Sequence, residues 1–284
     1  MGTLGHNAYG KSGIRLTKVV RNGPRHELFE ITAAIQLEGD FAAAYTDGDN
    51  RQCIATDTMK NFVYVKASEY SFHSIEHFAL VLAMELLETY PQVTTATVEL
   101  TQTAWRRLMV DAKPHDHAFV NDGQHKRYAK AVHTRGNELL IGGVRELLVL
   151  KTTASEWRDF HSDRHRTLKD TSDRIMATRI DADWTFNPEA GPDFDDLYAA
   201  VTGAILTTFA RKHSLGVQQT LKDMGDAALA ACSLIDLISF TLPNLHRIPF
   251  NLEPFGAKSC NDIFVATDEP YGLITGTITR EAKR

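Results

Sequence analysis

Thr56 and Asp57 stand inside Cys53-Ile54-Ala55-Thr56-Asp57-Thr58-Met59-Lys60-Asn61, and of all the short polar pairs in the chain they are the best placed to do chemistry. Short hydroxyl and carboxylate side chains also bond their own backbone, and read locally the pair stabilises a turn or cap. Lys11 follows Gly10 at the start of a strand-like segment, where a lone lysine ordinarily serves as a surface charge. His115-Asp116-His117 would put two imidazoles on one side of a strand, as a metal site needs. No third ligand is signalled nearby and Pro114 marks a loop or strand start, so no metal is expected there.

The elements that must position these residues follow from hydrophobic periodicity. Lys11 to Arg21 alternates, with Ile14, Leu16 and Val20 on one face, and Leu28 to Leu37 returns as its partner after the turn Asn22-Gly23-Pro24. A turn-forming cluster, Thr46-Asp47-Gly48-Asp49-Asn50, comes next, and Phe62 to Ala67 alternates again. This places Thr56-Asp57 at a break between two strands. Ser74 suits the N-cap of a helix from Ile75 to Thr89, whose apolar stripe of Ile75, Phe78, Ala79, Leu82 and Leu86 repeats at three and four residues and stops before Pro91. Val93 to Leu108 and Ala118 to His133 read as strands.

From Glu138 the plan repeats. Leu139 to Thr152 and Arg174 to Phe186 are strand-like, and Asp193 to Arg211 is an amphipathic helix opened by Pro192 and Asp193. Val217 to Cys232 is helical, and Ile235 to Leu242, Phe264 to Thr267 and Gly272 to Arg280 are further strands. Two units, 1–137 and 138–284, suggest an internal duplication of an α+β plan. Long antiparallel strands with helices on one face need their other face covered or their edges closed, and assembly into a barrel satisfies both.

Composition narrows the function. The chain has 284 residues, 43% hydrophobic and 24% charged, with a formal charge of -5, which disfavours a nucleic-acid partner. Cys53, Cys232 and Cys260 are widely spaced and suggest neither disulfides nor a thiolate metal site. No run suits a signal peptide or a membrane span, and Arg280-Glu-Ala-Lys-Arg284 is not a peroxisomal address, so a cytoplasmic location is expected.

Six segments together resemble the urate oxidase (uricase) family. They are Tyr9-Gly10-Lys11, Tyr45-Thr46 through Asn61 with its core Ala55-Thr56-Asp57-Thr58, Asp173-Arg174-Ile175, Val217-Gln218-Gln219-Thr220, Leu242-Pro243-Asn244-Leu245-His246 and Pro270-Tyr271-Gly272. They occur in the family's order and at about its spacing. The resemblance implies tandem tunnelling-fold (T-fold) units, antiparallel sheets with helices on the outer face, and a barrel closed by oligomerisation into a homotetramer with active sites between subunits. It implies oxidation of urate by dioxygen and water to 5-hydroxyisourate and hydrogen peroxide, with no metal and no cofactor.

The resemblance also assigns residues. Lys11 and Thr56 form the proton-transfer pair, and His246 continues the relay. Arg174 grips urate as a bidentate fork, while Gln218 and the backbone of Val217 read the opposite purine edge. Read locally, Arg174 would be a surface ion pair and Gln218 a helix cap. Asn244 and Thr56 flank the oxygen or water site. Asp57 offers a backbone N–H and, with Thr56, reaches into the site of the adjacent chain.

One departure concerns the aromatic lid. The family usually stacks a phenylalanine on the purine; here the segment reads Ser155-Glu156-Trp157-Arg158-Asp159-Phe160, which aligns Trp157 and leaves Phe160 as the alternative lid. The competing functions are a zinc-dependent pterin or guanine-nucleotide enzyme of the same fold and a non-catalytic purine binder. The first lacks a convincing ligand set, and the second does not account for the presence of Lys11, Thr56, Asn244 and His246.

Overall fold

The structure, a computed structural model, describes residues 2–186, 193–258 and 261–281. Pro192, Cys260 and residues 282–284, on which some of the sequence expectations rest, lie outside the described residues. The chain divides into two compact units, Met1–Gly143 with Thr185–Tyr198, and Val144–Trp184 with Ala199–Arg284.

In the first unit, β1 (Tyr9–Val20), β2 (Glu27–Gly39), β3 (Val93–Val110) and β4 (Lys113–Thr134) lie side by side in chain order, every neighbour antiparallel. The side-chain period of two sets the register. Ala33, Ile35 and Leu37 of β2 face Leu100, Val98 and Ala96 of β3, and Val98 and Leu100 face Ala131 and Ala129 of β4. All of these side chains are buried. A one-residue slip would turn the whole apolar set to water, so the pattern fixes the pairing.

Among the described residues, three helices lie wholly within this unit: α1 (Ala42–Thr46), α2 (Thr56–Glu69) and α3 (Ile75–Thr89). The last forms as its sequence dictates. The Ser74 hydroxyl accepts the His77 N–H at 3.2 Å, and Ile75, Phe78, Ala79, Leu82 and Leu86 are buried on the face that packs against β3 and β4. Each such Ile, Leu or Phe contributes about 1.5–3 kcal/mol by leaving water.

The expectation of a strand at Phe62 to Ala67 is wrong, because those residues are the interior of α2. Phe62, Tyr64 and Lys66 alternate with Val63, Val65 and Ala67 as in a strand, but the buried positions are Met59, Val63 and Ala67, spaced by four, and they seat the helix on β1. Thr56-Asp57 is correspondingly not a turn between two strands. It is the first turn of α2.

The remaining elements are β5 (Asn137–Lys151), β6 (Met176–Phe186), α4 (Phe194–Arg211), α5 (Val217–Ala231), β7 (Ile235–Pro249) and β8 (Phe264–Thr279), with a short 3-10 turn at Glu253–Phe255. Within the second unit β7 pairs antiparallel with β8 and α5 packs across both. Gly225 lets the helix come that close, since a Cβ there would lie 2.3 Å from Ile278 Cγ1. The two strands expected at Phe264 to Thr267 and Gly272 to Arg280 are one strand, β8, continuous through residues 268–271. The antiparallel sheet with few helices is the architecture of the tunnelling fold.

Candidate active site

The predicted site residues fall into two groups, one in each unit. In the first unit, Gly10 permits a close approach of β1 to β2, since a Cβ there would sit 1.8 Å from the Ile35 carbonyl oxygen. Lys11 pairs with Ile35 directly after it, and the register then shifts before Ile14. Thr56 and Asp57 are exposed in the first turn of α2, whose N-cap, Ala55, supplies no capping side chain. The early N–H groups of such a helix have no partner within it, and its positive end favours an acidic residue. Asp57 accepts from Lys60 and, at 3.0 Å, from Asn61 Nδ2. The Lys60 ammonium, with a smaller contribution from Lys11, holds the Asp57 carboxyl below its usual range. Lys11 and Asp57 are therefore brought within electrostatic reach of each other.

In the second unit, residues 154–157 run between two other segments and are bonded to both. Ser214 N–H donates to the Ala154 carbonyl at 2.9 Å, and Glu156 N–H donates to the Ser214 carbonyl at 2.8 Å. On the other side, Trp157 and Thr171 exchange two 2.9 Å backbone bonds, and Arg174 N–H donates to the Ser155 carbonyl at 2.8 Å. The Asp173 carboxylate takes the Thr153 hydroxyl at 2.7 Å and the Ser155 N–H at 3.4 Å, and the Thr153 bond above all holds its carboxyl below the usual range. This lattice fixes Trp157 and Arg174 without using the Arg174 side chain.

Trp157, Arg174, Asn244 and His246 line one cleft of about 540 Å³. Burial draws the Arg174 guanidinium below its ordinary pKa, and its Nε is buried with no hydrogen-bond partner among the described residues. A part-buried cation with one buried, unpartnered donor favours an acceptor, so the cleft is polarised toward an anionic or carbonyl-bearing guest. Arg174 is thus not the surface ion pair of the local reading. Asn244 pairs with Gly272 and His246 with Thr267, with a register shift between the two pairs.

Val217 is buried and Gln218 exposed at the first turn of α5. The cap of that helix, Gly216, lies against the indole, since a Cβ there would be 2.8 Å from Trp157 Cζ3. Ser214 Oγ and Thr220 Oγ1 share a hydrogen bond at 2.6 Å, one donating to the other, and both lie within reach of the Gly216 carbonyl, at 3.1 and 3.0 Å, which takes the remaining hydroxyl proton. The α5 N-terminus is thereby held beside Trp157. Gln218 bonds none of this cap, so its amide is not the helix-cap group of the local reading.

The two candidate lid residues stand differently in the fold. Trp157 lines the cleft, whereas Phe160 does not; it stacks on Trp157 with ring centres 5.5 Å apart and planes 14° from parallel. The Arg166 guanidinium in turn lies 4.0 Å from the Phe160 ring centre. Sequence reasoning missed Thr152, Lys169, Asp262 and Phe264, which also line the cleft. The Trp157–Thr171 pairing and the β7–β8 register bring them there, and neither has a local sequence signal. The His115 and His117 rings sit 4.6 Å apart, edge to face, and no group of three metal-ligating side chains occurs among the described residues.

Tunnelling-fold units in which a part-buried arginine and a part-buried indole line one cleft define an α+β protein with a polar cavity of small-molecule size. A family model described as Uricase matches residues 7–132 and 140–275. The uricase of Arthrobacter globiformis is 42% identical over 99% of this chain and 91% of its own length, and that of Dictyostelium discoideum is 32% identical over 100% of both. The crystal structure of the Arthrobacter globiformis uricase superposes with a TM-score of 0.93, covering 100% of this chain and 97% of that one. A urate oxidase from Bacillus sp. TB-90, at 18% identity and a TM-score of 0.85, shares the fold. The chain belongs to the uricase (urate oxidase) family of oxidoreductases. The comparisons support neither the pterin enzyme nor the non-catalytic binder.

Proposed function

We propose that the protein oxidises urate with dioxygen and water to 5-hydroxyisourate and hydrogen peroxide. The observation that carries this reading is the cleft in which Trp157, Arg174, Asn244 and His246 converge, with Arg174 Nε left without a partner among the described residues. Urate is a flat, electron-rich anion with acceptors along its edges. Arg174 binds it as a planar fork, Trp157 stacks on its face, and Gln218 with the Val217 N–H reads the opposite edge.

Deprotonated urate gives its electrons to dioxygen directly, so the reaction calls for no metal and no organic cofactor. Two electrons leave the purine, dioxygen becomes hydrogen peroxide, and water supplies the new hydroxyl at C5. The protein moves the protons: Lys11, Thr56 and His246 form the relay, and Asn244 with Thr56 holds the oxygen or water above the ring. Lys11, Thr56 and Asp57 serve the cleft of an adjacent chain, with the Asp57 N–H on the urate edge, in a homotetramer whose T-fold barrels are closed by assembly. We place the protein in the cytoplasm, where widely spaced cysteines stay reduced.

The test is urate loss followed by absorbance and coupled to peroxide detection. Stoichiometric peroxide, retained after exhaustive chelation, is the expected result. No urate loss, or activity restored only by added zinc, contradicts the reading.

A further inference from the structure

The mechanism above uses Lys11 and Thr56 but leaves unexplained what holds a strand residue and a helix residue in a common frame. Tyr64 to the Arg15 carbonyl and Lys18 to the Ala67 carbonyl join the two elements farther along, and at the end that carries Lys11 and Thr56 the joining side chain is Tyr9. The Tyr9 hydroxyl donates to the Ile54 carbonyl at 3.1 Å and accepts the Ile54 N–H at 2.7 Å, satisfying both backbone groups of a buried residue. Tyr9 stands two residues before Lys11, and Ile54 two before Thr56. The ring is fixed edge-on to Phe41, with centres 4.8 Å apart, and Gly10 presses the strand against Ile35.

We propose that Tyr9 is a positioning residue for catalysis: its phenol clamps the β1 start to the residues leading into α2, and so sets the distance between Lys11 and Thr56. The inference rests on the proton relay proposed above. Burial raises the Tyr9 phenol to about 12, with Cys53 and Tyr45 as its titratable neighbours, so the hydroxyl stays protonated and keeps donating through the working range.

Tyr9→Phe removes the two bonds and keeps the ring. Turnover should fall roughly 10- to 100-fold, the scale set by a small misplacement of reacting groups. The alkaline and acid limbs of the kcat profile should move, while affinity for a non-oxidisable purine analogue stays unchanged, because Arg174, Trp157 and Gln218 are untouched. Unchanged kcat and pH profile would overturn the inference, and so would a loss confined to thermal stability. Should Tyr9→Phe not fold, 3,5-difluorotyrosine placed at position 9 keeps the shape but ionises at lower pH. An alkaline loss of turnover at lower pH then supports the clamp, and an unmoved limb refutes it. Lys11→Met separates the two levels: full turnover in that variant removes the relay itself, whatever Tyr9→Phe does.

Discussion

At the residue scale the proposed mechanism assigns two kinds of side chain, those that grip and those that move protons, and substitution should separate them. Replacing Lys11 with Met or Thr56 with Ala should lower urate turnover by about 10²–10⁴-fold, the usual worth of a positioned acid or base, while binding of a non-oxidisable purine analogue is preserved. Stopped-flow turnover beside equilibrium binding checks this, and near-native turnover in either variant removes that residue from the relay. The proposal puts Trp157, which lines the cleft, in the gripping set. Stacking on an aromatic is worth about 1–3 kcal/mol per base, so Trp157→Ala should raise KM for urate by roughly 10- to 100-fold with a smaller effect on kcat. Phe160 lies behind the indole, so Phe160→Ala should raise KM less. The opposite ranking would make Phe160 the lid.

At the element scale, legibility depended on whether local signals agreed. Helix α3 could be read because Ser74, the three-and-four spacing and Pro91 all point the same way. Helix α2 could not, because apolar residues fill both faces from Phe62 to Ala67, and only burial shows that Met59, Val63 and Ala67 form the inward stripe. The join between β1 and the start of α2 was equally hidden, since it is a contact between residues 45 positions apart in the chain.

That join carries a pH signature. The Tyr9 phenol is raised by burial from 10.0 to about 12 in the folded chain, so the folded state holds its proton more tightly than the unfolded state does. The associated stability is fully present below pH 10 and is lost as pH rises toward about 12. Urea midpoints measured across that interval should fall more steeply for the wild type than for Tyr9→Phe. Parallel curves would mean that the phenol titrates alike in both states.

At the scale of the whole molecule, the two groups of proposed site residues belong to different units, Lys11, Thr56 and Asp57 to one and Trp157, Arg174, Gln218, Asn244 and His246 to the other. Six motifs in order made the family legible from sequence. The surroundings of individual residues were less so, since Arg174 reads locally as an ion pair, whereas the fold part-buries it in a cleft with Trp157 and leaves its Nε without a partner among the described residues.

The central claim is that each active site takes one group from one chain and the other group from its neighbour. Co-expression of Thr56→Ala and Arg174→Ala chains tests it most directly. Each variant alone should be inactive, and the mixed assembly should recover urate turnover, because some interfaces then unite an intact Thr56 with an intact Arg174. Mixed assemblies that form but stay inactive, or a folded monomer with full turnover, would contradict it.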